Sequence, residues 1–288
     1  LENFKLYDKQ IKSLNNFFEN SLKKIPENIE AYKKEYRIKN IIVIFSFLKY
    51  FIKMFFRKKL NSNKDIIRKT YDNQYLKPQY ILLDPSPKVI YIKEGKFIKS
   101  SRLYSEFHAA NQFIKICKKY NFNNLLEVGV GDALIPFLVY LSNKIDFYKI
   151  KFIGLDLSAQ RVFNADQLFK KISKLEKKKN TFFMIGDATD LIFDDKSFDA
   201  TFVNGTLLDC KNNLEKIFIE MKRVSKYLII REPIYDFQSI TGRLHIRKSD
   251  YSIITLNILK RYGDIIYFEN DVINELHLKF STIVLKCF

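Results

Sequence analysis

LLEVGVGD, residues Leu125 to Asp132, is the stretch on which the fold turns. Three of its first four residues are apolar, and Gly129 and Gly131 follow at once. An apolar run of this length bounded by glycines reads as a buried strand. Glycines directly after it let the backbone turn tightly and approach a ligand, and a helix starting near Asp132 would present free amides to that ligand. Nicotinamide and flavin enzymes use the same device, so the stretch specifies a Rossmann-like turn without specifying the cofactor.

Downstream, strand-like runs alternate with helical segments: Phe152 to Leu155, Phe182 to Ile185, Ala200 to Val203 and Tyr227 to Ile230. The intervals are long enough for crossover helices, which predicts a parallel, helix-covered sheet. Asp264 to Phe268 and Leu276 to Leu285 break the rhythm and suit a closing antiparallel strand. The expected fold class is therefore α/β, a Rossmann-like, seven-stranded, mostly parallel sheet with an antiparallel last strand.

The spacing of acids narrows the ligand. Asp156 ends the second strand, where a carboxylate can accept both hydroxyls of a ribose. Asp187 follows the third strand in Gly186-Asp187-Ala188, placed to accept a hydrogen bond from an adenine amino group. A dinucleotide site would want glycine at residue 134, and this chain has Leu134. An adenosine cofactor lacking a pyrophosphate satisfies all three positions.

With these motifs in order, residues 124 to 232 resemble the class I S-adenosylmethionine-dependent methyltransferases, particularly the group acting on small molecules. The resemblance is carried by LLEVGVGDA, FIGLDLS, FMIGDATDLIFDDKSFDATFVNG, LEKIFIEMKRVSK and YLIIREP. It implies that Gly129 and Gly131 pass the methionine portion of S-adenosylmethionine, with Glu127 near its amino group. Asp156 would hold the ribose, Leu157 would lie against the adenine, and Asp187 and Ala188 would face its edge. Asn204 would offer its backbone carbonyl to the methionine end. The family often has a third glycine where this chain has Ala133. Upstream, Arg102 or Tyr104 lies where family members close over the cofactor and would bind its carboxylate.

The acceptor is specified less. The fourth strand leads into Asn204-Gly205-Thr206-Leu207 rather than the Asn/Asp-Pro-Pro-aromatic run of enzymes methylating exocyclic or amide nitrogens. No Pro-Cys or Thr-Cys pair of the cytosine C5 type is present. Substrate-facing candidates cluster after the fifth strand: Tyr235, Asp236, Arg243, His245 and Arg247. His245 is the candidate general base, and Arg243 with Arg247 could hold a carboxylate or phosphate. A solvated basic loop is the plainer account of the same residues. A small-molecule or lipid-like acceptor, methylated on oxygen or nitrogen, is the leading reading.

Composition sets the remaining bounds. The 288 residues, 47% hydrophobic, suffice for a real core. Three scattered cysteines and three scattered histidines argue against disulfides and against a metal site. They suit a reducing, cytoplasmic setting. A net charge of +18 raises RNA as a partner, and an RNA methyltransferase is the principal alternative. Yet ten of the fifty basic residues are arginine, in a chain crowded with Asn, Ile, Phe and Tyr, which points to compositional bias.

Residues 1 to 71 read as a helical extension with one proline and no glycine, residues 72 to 100 as a connector with room for one hairpin, and residues 101 to 288 as the cofactor-binding domain. The extension holds 17 basic and 7 acidic residues over positions 1 to 70. Within it, residues 41 to 60 form a broad apolar face with a narrow stripe of Ser46, Lys49, Lys53 and Arg57. The lysines interrupt the run too centrally for a membrane span. Packing over the active site, a dimer contact, or peripheral adsorption to the inner face of an anionic membrane each fits this pattern, the last admitting a non-catalytic membrane-associated module.

Overall fold

The computed structural model describes residues 36–37, 45, 52, 64–74, 89–93, 96–100, 102–142, 149–173, 180–274 and 278–288. Elements, in chain order, are β1 (Tyr36–Arg37), α1 (Lys64–Gln74), β2 (Val89–Lys93), β3 (Lys96–Ser100), α2 (Arg102–Tyr120), β4 (Asn124–Val128), α3 (Leu134–Ser142) and β5 (Lys151–Asp156). They continue with α4 (Ala159–Ser173), β6 (Thr181–Ile185), β7 (Phe198–Asn204), α5 (Leu214–Val224), β8 (Ser225–Glu232), α6 (Ile240–Lys248), α7 (Leu256–Leu259), β9 (Asp264–Asn274) and β10 (Lys279–Lys286).

β4 is central, and its residues from Leu125 to Val128 are all buried. Leu125 and Leu126, on opposite faces, are both fully buried, as a strand covered on both sides by helices requires. It pairs in parallel with β5 on one side and β7 on the other. The seven strands run in the order β6-β5-β4-β7-β8-β10-β9. β10 is antiparallel to both its neighbours, so the other six strands share one direction. The chain moves outward from β4 to β6 and then returns to lay β7 and β8 on the opposite side. That reversal opens a crevice at the carboxyl ends of β4 and β7, the usual ligand position in such sheets.

Two hydrophobic layers hold the sheet. On one face Phe113, Ile116 and Phe137 from α2 and α3 meet Phe152 and Phe202. On the other, Ile217, Phe218, Met221 and Val224 of α5, spaced by one, three and three, meet Leu126, Val128, Leu228 and Ile230. The alternation of Leu228, Ile229 and Ile230 between the two layers is the strand period itself.

The sheet agrees with the sequence reading strand by strand, and β9 runs six residues beyond the expected Phe268. The expected hairpin is present as β2 and β3, paired antiparallel from Val89↔Ser100 to Lys93↔Lys96. Tyr80 to Leu83 lie outside the described residues. The helical reading of the first 71 residues needs correcting at Tyr36–Arg37, which pair antiparallel with β3. Partnering an open strand edge overrides local periodicity there. The helix α1 also crosses the expected boundary at residue 71. Of residues 41 to 60 only Phe45 and Ile52 are described, both helical and exposed. Among the described residues no helix is long and apolar enough to cross a membrane.

Candidate active site

The glycine turn is shaped by what crowds it. Gly129 and Gly131 have φ of 73° and 58°, a region that side chains with a Cβ avoid. A Cβ on Gly129 would lie 2.2 Å from the Thr206 hydroxyl, and one on Gly131 would lie 1.9 Å from the Arg161 guanidinium. Ala133, the departure from the family pattern, also sits at positive φ, 59°. The third glycine of related sequences thus answers a backbone demand that alanine meets here with some strain.

Asp156 braces this turn. Its Oδ2 accepts from the Gly131 amide at 2.8 Å and its Oδ1 from the Ser158 amide at 2.9 Å. Each carboxylate oxygen has two acceptor sites, so these bonds leave capacity for ribose hydroxyls. Arg161, from the first turn of α4, reaches over the turn with Nε 3.5 Å from Asp132 and Nη1 3.9 Å from Asp156.

The crevice beside the turn is a cleft that opens to solvent. Val128, Gly129, Asp156, Leu157, Asp187, Ala188, Thr206 and Asp209 line its floor. Its roof is α1, which contributes Lys64, Ile67 and Tyr71. The helix is fixed at three points. Lys64 Nζ donates to Asp187 Oδ2 and to the Thr189 hydroxyl, each at 2.6 Å. The Tyr71 hydroxyl donates to Asp209, and its ring lies 5.4 Å from the Arg161 guanidinium. Asp72 accepts from the Ser158 hydroxyl and the Gln160 amide. Partial burial alone would raise the Asp187 carboxyl, but Lys64 and the Thr189 amide and hydroxyl together hold it below its ordinary value.

Two buried glutamates stand behind the floor. Burial, with Asp156 nearby, pushes Glu127 well above the usual carboxylate range, against the pull of Arg161. Its Oε2 is buried without a hydrogen-bond partner among the described residues. Glu232 Oε1 accepts from the amides of Thr206 at 2.7 Å and Leu207 at 2.8 Å. Burial raises its carboxyl to about 8 despite those bonds.

This sets a pH dependence of stability. Between the ordinary value near 4.5 and about 8, folded Glu232 keeps a proton that the unfolded chain has released. Stability therefore falls as pH rises through that window, by at most about 1.4 kcal/mol per pH unit from this group. Glu127 adds to the same trend. Glu232→Gln keeps an oxygen for both amides and removes the titration, so its urea midpoint is expected to decline less than wild type between about pH 5 and about pH 8. Equal slopes in the two proteins would refute the assignment.

The sequence candidates divide into three groups. Gly129, Asp156, Leu157, Asp187 and Ala188 line the cleft. Glu127, Gly131 and Asn204 sit immediately around it, with the Asn204 side chain accepting from Arg231 at 2.7 Å. The remainder is elsewhere. His245, the candidate base, lies on α6, buried with its ring 5.6 Å from Tyr251, and is not among the residues that line this cleft. Arg243 and Arg247 pack on the Tyr235 ring at 5.3 and 5.5 Å, while Asp236 accepts from the Leu256 amide. Those contacts hold α6 and α7 together, which accounts for the residues without a ligand. Arg102 and Tyr104 fall in the first turn of α2, their side chains outside the described residues.

Sequence reasoning missed Lys64, Tyr71, Arg161, Thr206, Asp209 and Glu232. Only Glu232 carried a usable signal, an acid closing the apolar run YLIIRE. Such an acid must be buried, and a buried acid needs donors.

Comparison with known proteins agrees with this geometry. Residues 126–227 match the family model described as a methyltransferase domain. Magnesium protoporphyrin IX methyltransferase from Synechocystis PCC 6803, solved with bound SAH, superposes with a TM-score of 0.57 at 10% identity, covering 78% of this chain and 100% of that one. The [4+2]-cyclase SpnF gives 0.54 at 14% identity, covering 80% and 99%. At these identities the likeness is one of fold, and the two proteins' named chemistries differ. No curated protein matches the sequence.

Proposed function

The chain belongs, through residues 126–227, to the class I S-adenosylmethionine-dependent methyltransferases, and we propose that it methylates a small-molecule or lipid-like acceptor held beneath α1. S-adenosylmethionine is its cofactor, supplying a methyl group on an electron-poor sulfonium. The observation that carries the acceptor class is the roof. A helix bonded across the cleft through Lys64, Tyr71 and Asp72 leaves a covered chamber with the apolar wall of Ile67 and Ile217. Such a chamber suits a compact acceptor better than a folded polymer.

The residues present fit the cofactor. Glu127 presents a buried carboxylate oxygen without a partner among the described residues, suited to an ammonium, whose arrival would restore its charge. Asp156 would hold the ribose, Leu157 would lie against the base, and Asp187 and Ala188 would face its edge. Gly129 and Gly131 keep side chains out of the path of the methionine portion, and Asn204 offers its carbonyl. For Asp187 to serve, Lys64 must share or yield that carboxylate. Methyl transfer asks the protein for alignment, exclusion of water and, for some acceptors, proton removal. The helix α1 above the cleft and the apolar wall would contribute to the first two.

Incubation of the full chain with S-adenosylmethionine labelled on its methyl, together with small-molecule, lipid and RNA extracts, tests the acceptor class. Label is expected in the small-molecule or lipid fraction. Label confined to RNA would overturn this reading in favour of the one the +18 charge suggests.

A further inference from the structure

The floor of the cleft continues past the cofactor positions into a turn with unusual support. β7 ends at Asn204, and the chain passes through Gly205 and Thr206 into the helical turn Leu207–Asp209. Leu207 and Leu208 are buried, the Cys210 amide closes the turn on the Leu207 carbonyl, and Glu232 grips the Thr206 and Leu207 amides from below. The last residue of the turn, Asp209, lines the cleft beside Thr206, Cys210 and Asn213. From the roof, Tyr71 delivers its hydroxyl to Asp209 Oδ2. The cleft thus contains an acceptor-only group whose position is fixed from both sides.

On the methyltransferase reading above, we propose that Asp209 and Tyr71 form the acceptor subsite and that its ligand is a small primary or secondary amine entering as the ammonium. A carboxylate accepts hydrogen bonds and offers no donor, and an ammonium brings donors and the opposite charge. The Tyr71 hydroxyl orients the carboxylate and can in turn accept from the ammonium. The field at this point has the same sign. Burial first, and then Asp209, Glu232, Asp187 and Asp156, push the adjacent Cys210 thiol up to about 12; burial disfavours either charge and Glu232 holds its proton below about pH 8, so it is Asp209, Asp187 and Asp156 that favour a cation over a second anion here. Among the described residues the two cations lining the cleft, Lys64 and Arg161, are engaged with Asp187 and with Asp132 and Asp156. An anionic acceptor is therefore disfavoured, and Arg243 and Arg247, which would have held one, lie outside the lining. For the amine to act as a nucleophile it must lose a proton. An N–H bond of the ammonium breaks, an O–H bond forms on Asp209, and the nitrogen keeps the electron pair.

Three ligands of one skeleton and different charge test this: benzylamine, benzyl alcohol and benzoate, titrated calorimetrically into the full chain with and without saturating S-adenosylhomocysteine. Benzylamine is expected to bind about tenfold or more tighter than benzyl alcohol, and benzoate more weakly than both. Asp209→Asn is expected to remove about tenfold from benzylamine affinity while leaving S-adenosylhomocysteine affinity within about twofold, and Tyr71→Phe to remove a smaller factor. Benzoate binding as tightly as benzylamine, no benzylamine binding, or unchanged benzylamine affinity in Asp209→Asn would each overturn the proposal. So would loss of S-adenosylhomocysteine binding in Asp209→Asn, which would assign the carboxylate to the cofactor. Failure of wild type to bind S-adenosylhomocysteine, with benzylamine still bound through Asp209, would instead overturn the cofactor assignment and leave the amine subsite standing.

Discussion

Asp156→Ala is expected to weaken S-adenosylhomocysteine binding by about 100-fold or more in calorimetry. The carboxylate has two tasks, and the substitution removes both. In its assigned role it accepts ribose hydroxyls through charge-assisted bonds, each worth about 1.5–3 kcal/mol, so losing two gives a factor of about 100 at the lower end. Its structural task is to hold the Gly131 and Ser158 amides at 2.8 and 2.9 Å. Without it the glycine turn loses its brace and Arg161 loses an acidic neighbour. Asp156→Asn separates the tasks, since an amide oxygen can still accept from one backbone amide while the charge is gone. The asparagine variant should therefore melt closer to wild type than the alanine variant and still bind weakly. Unchanged affinity in Asp156→Ala would remove Asp156, and with it the present placement of the ribose, from the site.

What the sequence reveals here is what a strand and its next two residues can carry. Leu125 to Asp132, Asp156 and Asp187 are each one step from a buried strand, so their position follows from the sheet, and the sheet follows from runs such as LLEV and YLII that are buried on both faces. The substrate end is built otherwise. Lys64 and Asp187 are 123 residues apart in sequence, and Tyr71 and Asp209 are 138 apart, and no periodicity in α1 signals which of its residues will meet the sheet. Asp209 belongs to a three-residue turn with a length and direction set by the Glu232 carboxylate arriving from β8. The surroundings of His245 were hidden for the opposite reason. A histidine in a basic segment looks solvent-facing, but Ile246, Leu208 and Tyr251 draw α6 into a small satellite core, and His245 is buried beside Tyr251. The same applies to Tyr36–Arg37, where the partner strand β3 lies about sixty residues further along the chain.

The second large effect is expected at Gly129, where geometry and neighbour act together. Both Gly129 and Gly131 lie at positive φ, so alanine at either position costs on the order of 1–2 kcal/mol in backbone strain. Their neighbours differ in what they can yield. At Gly131 the added Cβ meets the guanidinium of Arg161, the far end of a flexible side chain that can swing aside. At Gly129 it meets the Oγ1, Cγ2 and Cβ of Thr206 at 2.2, 2.3 and 2.7 Å. Thr206 is short, and its amide is held by Glu232 while its hydroxyl bonds the Gly129 carbonyl at 3.3 Å. It can move only by releasing the turn that carries Asp209. Gly129→Ala should accordingly lose about 3 kcal/mol or more, strain plus overpacking, against about 1 kcal/mol for Gly131→Ala. In a thermal melt the difference should appear as a Tm for Gly129→Ala lower by roughly 4–8 °C than for Gly131→Ala. Thr206→Ser in the Gly129→Ala background removes Cγ2 and should return part of the loss. Equal melting of the two alanine variants, or no gain from Thr206→Ser, would show that the Thr206 contact does not set the conformation of the turn, and that positive φ alone explains the glycines of LLEVGVGD.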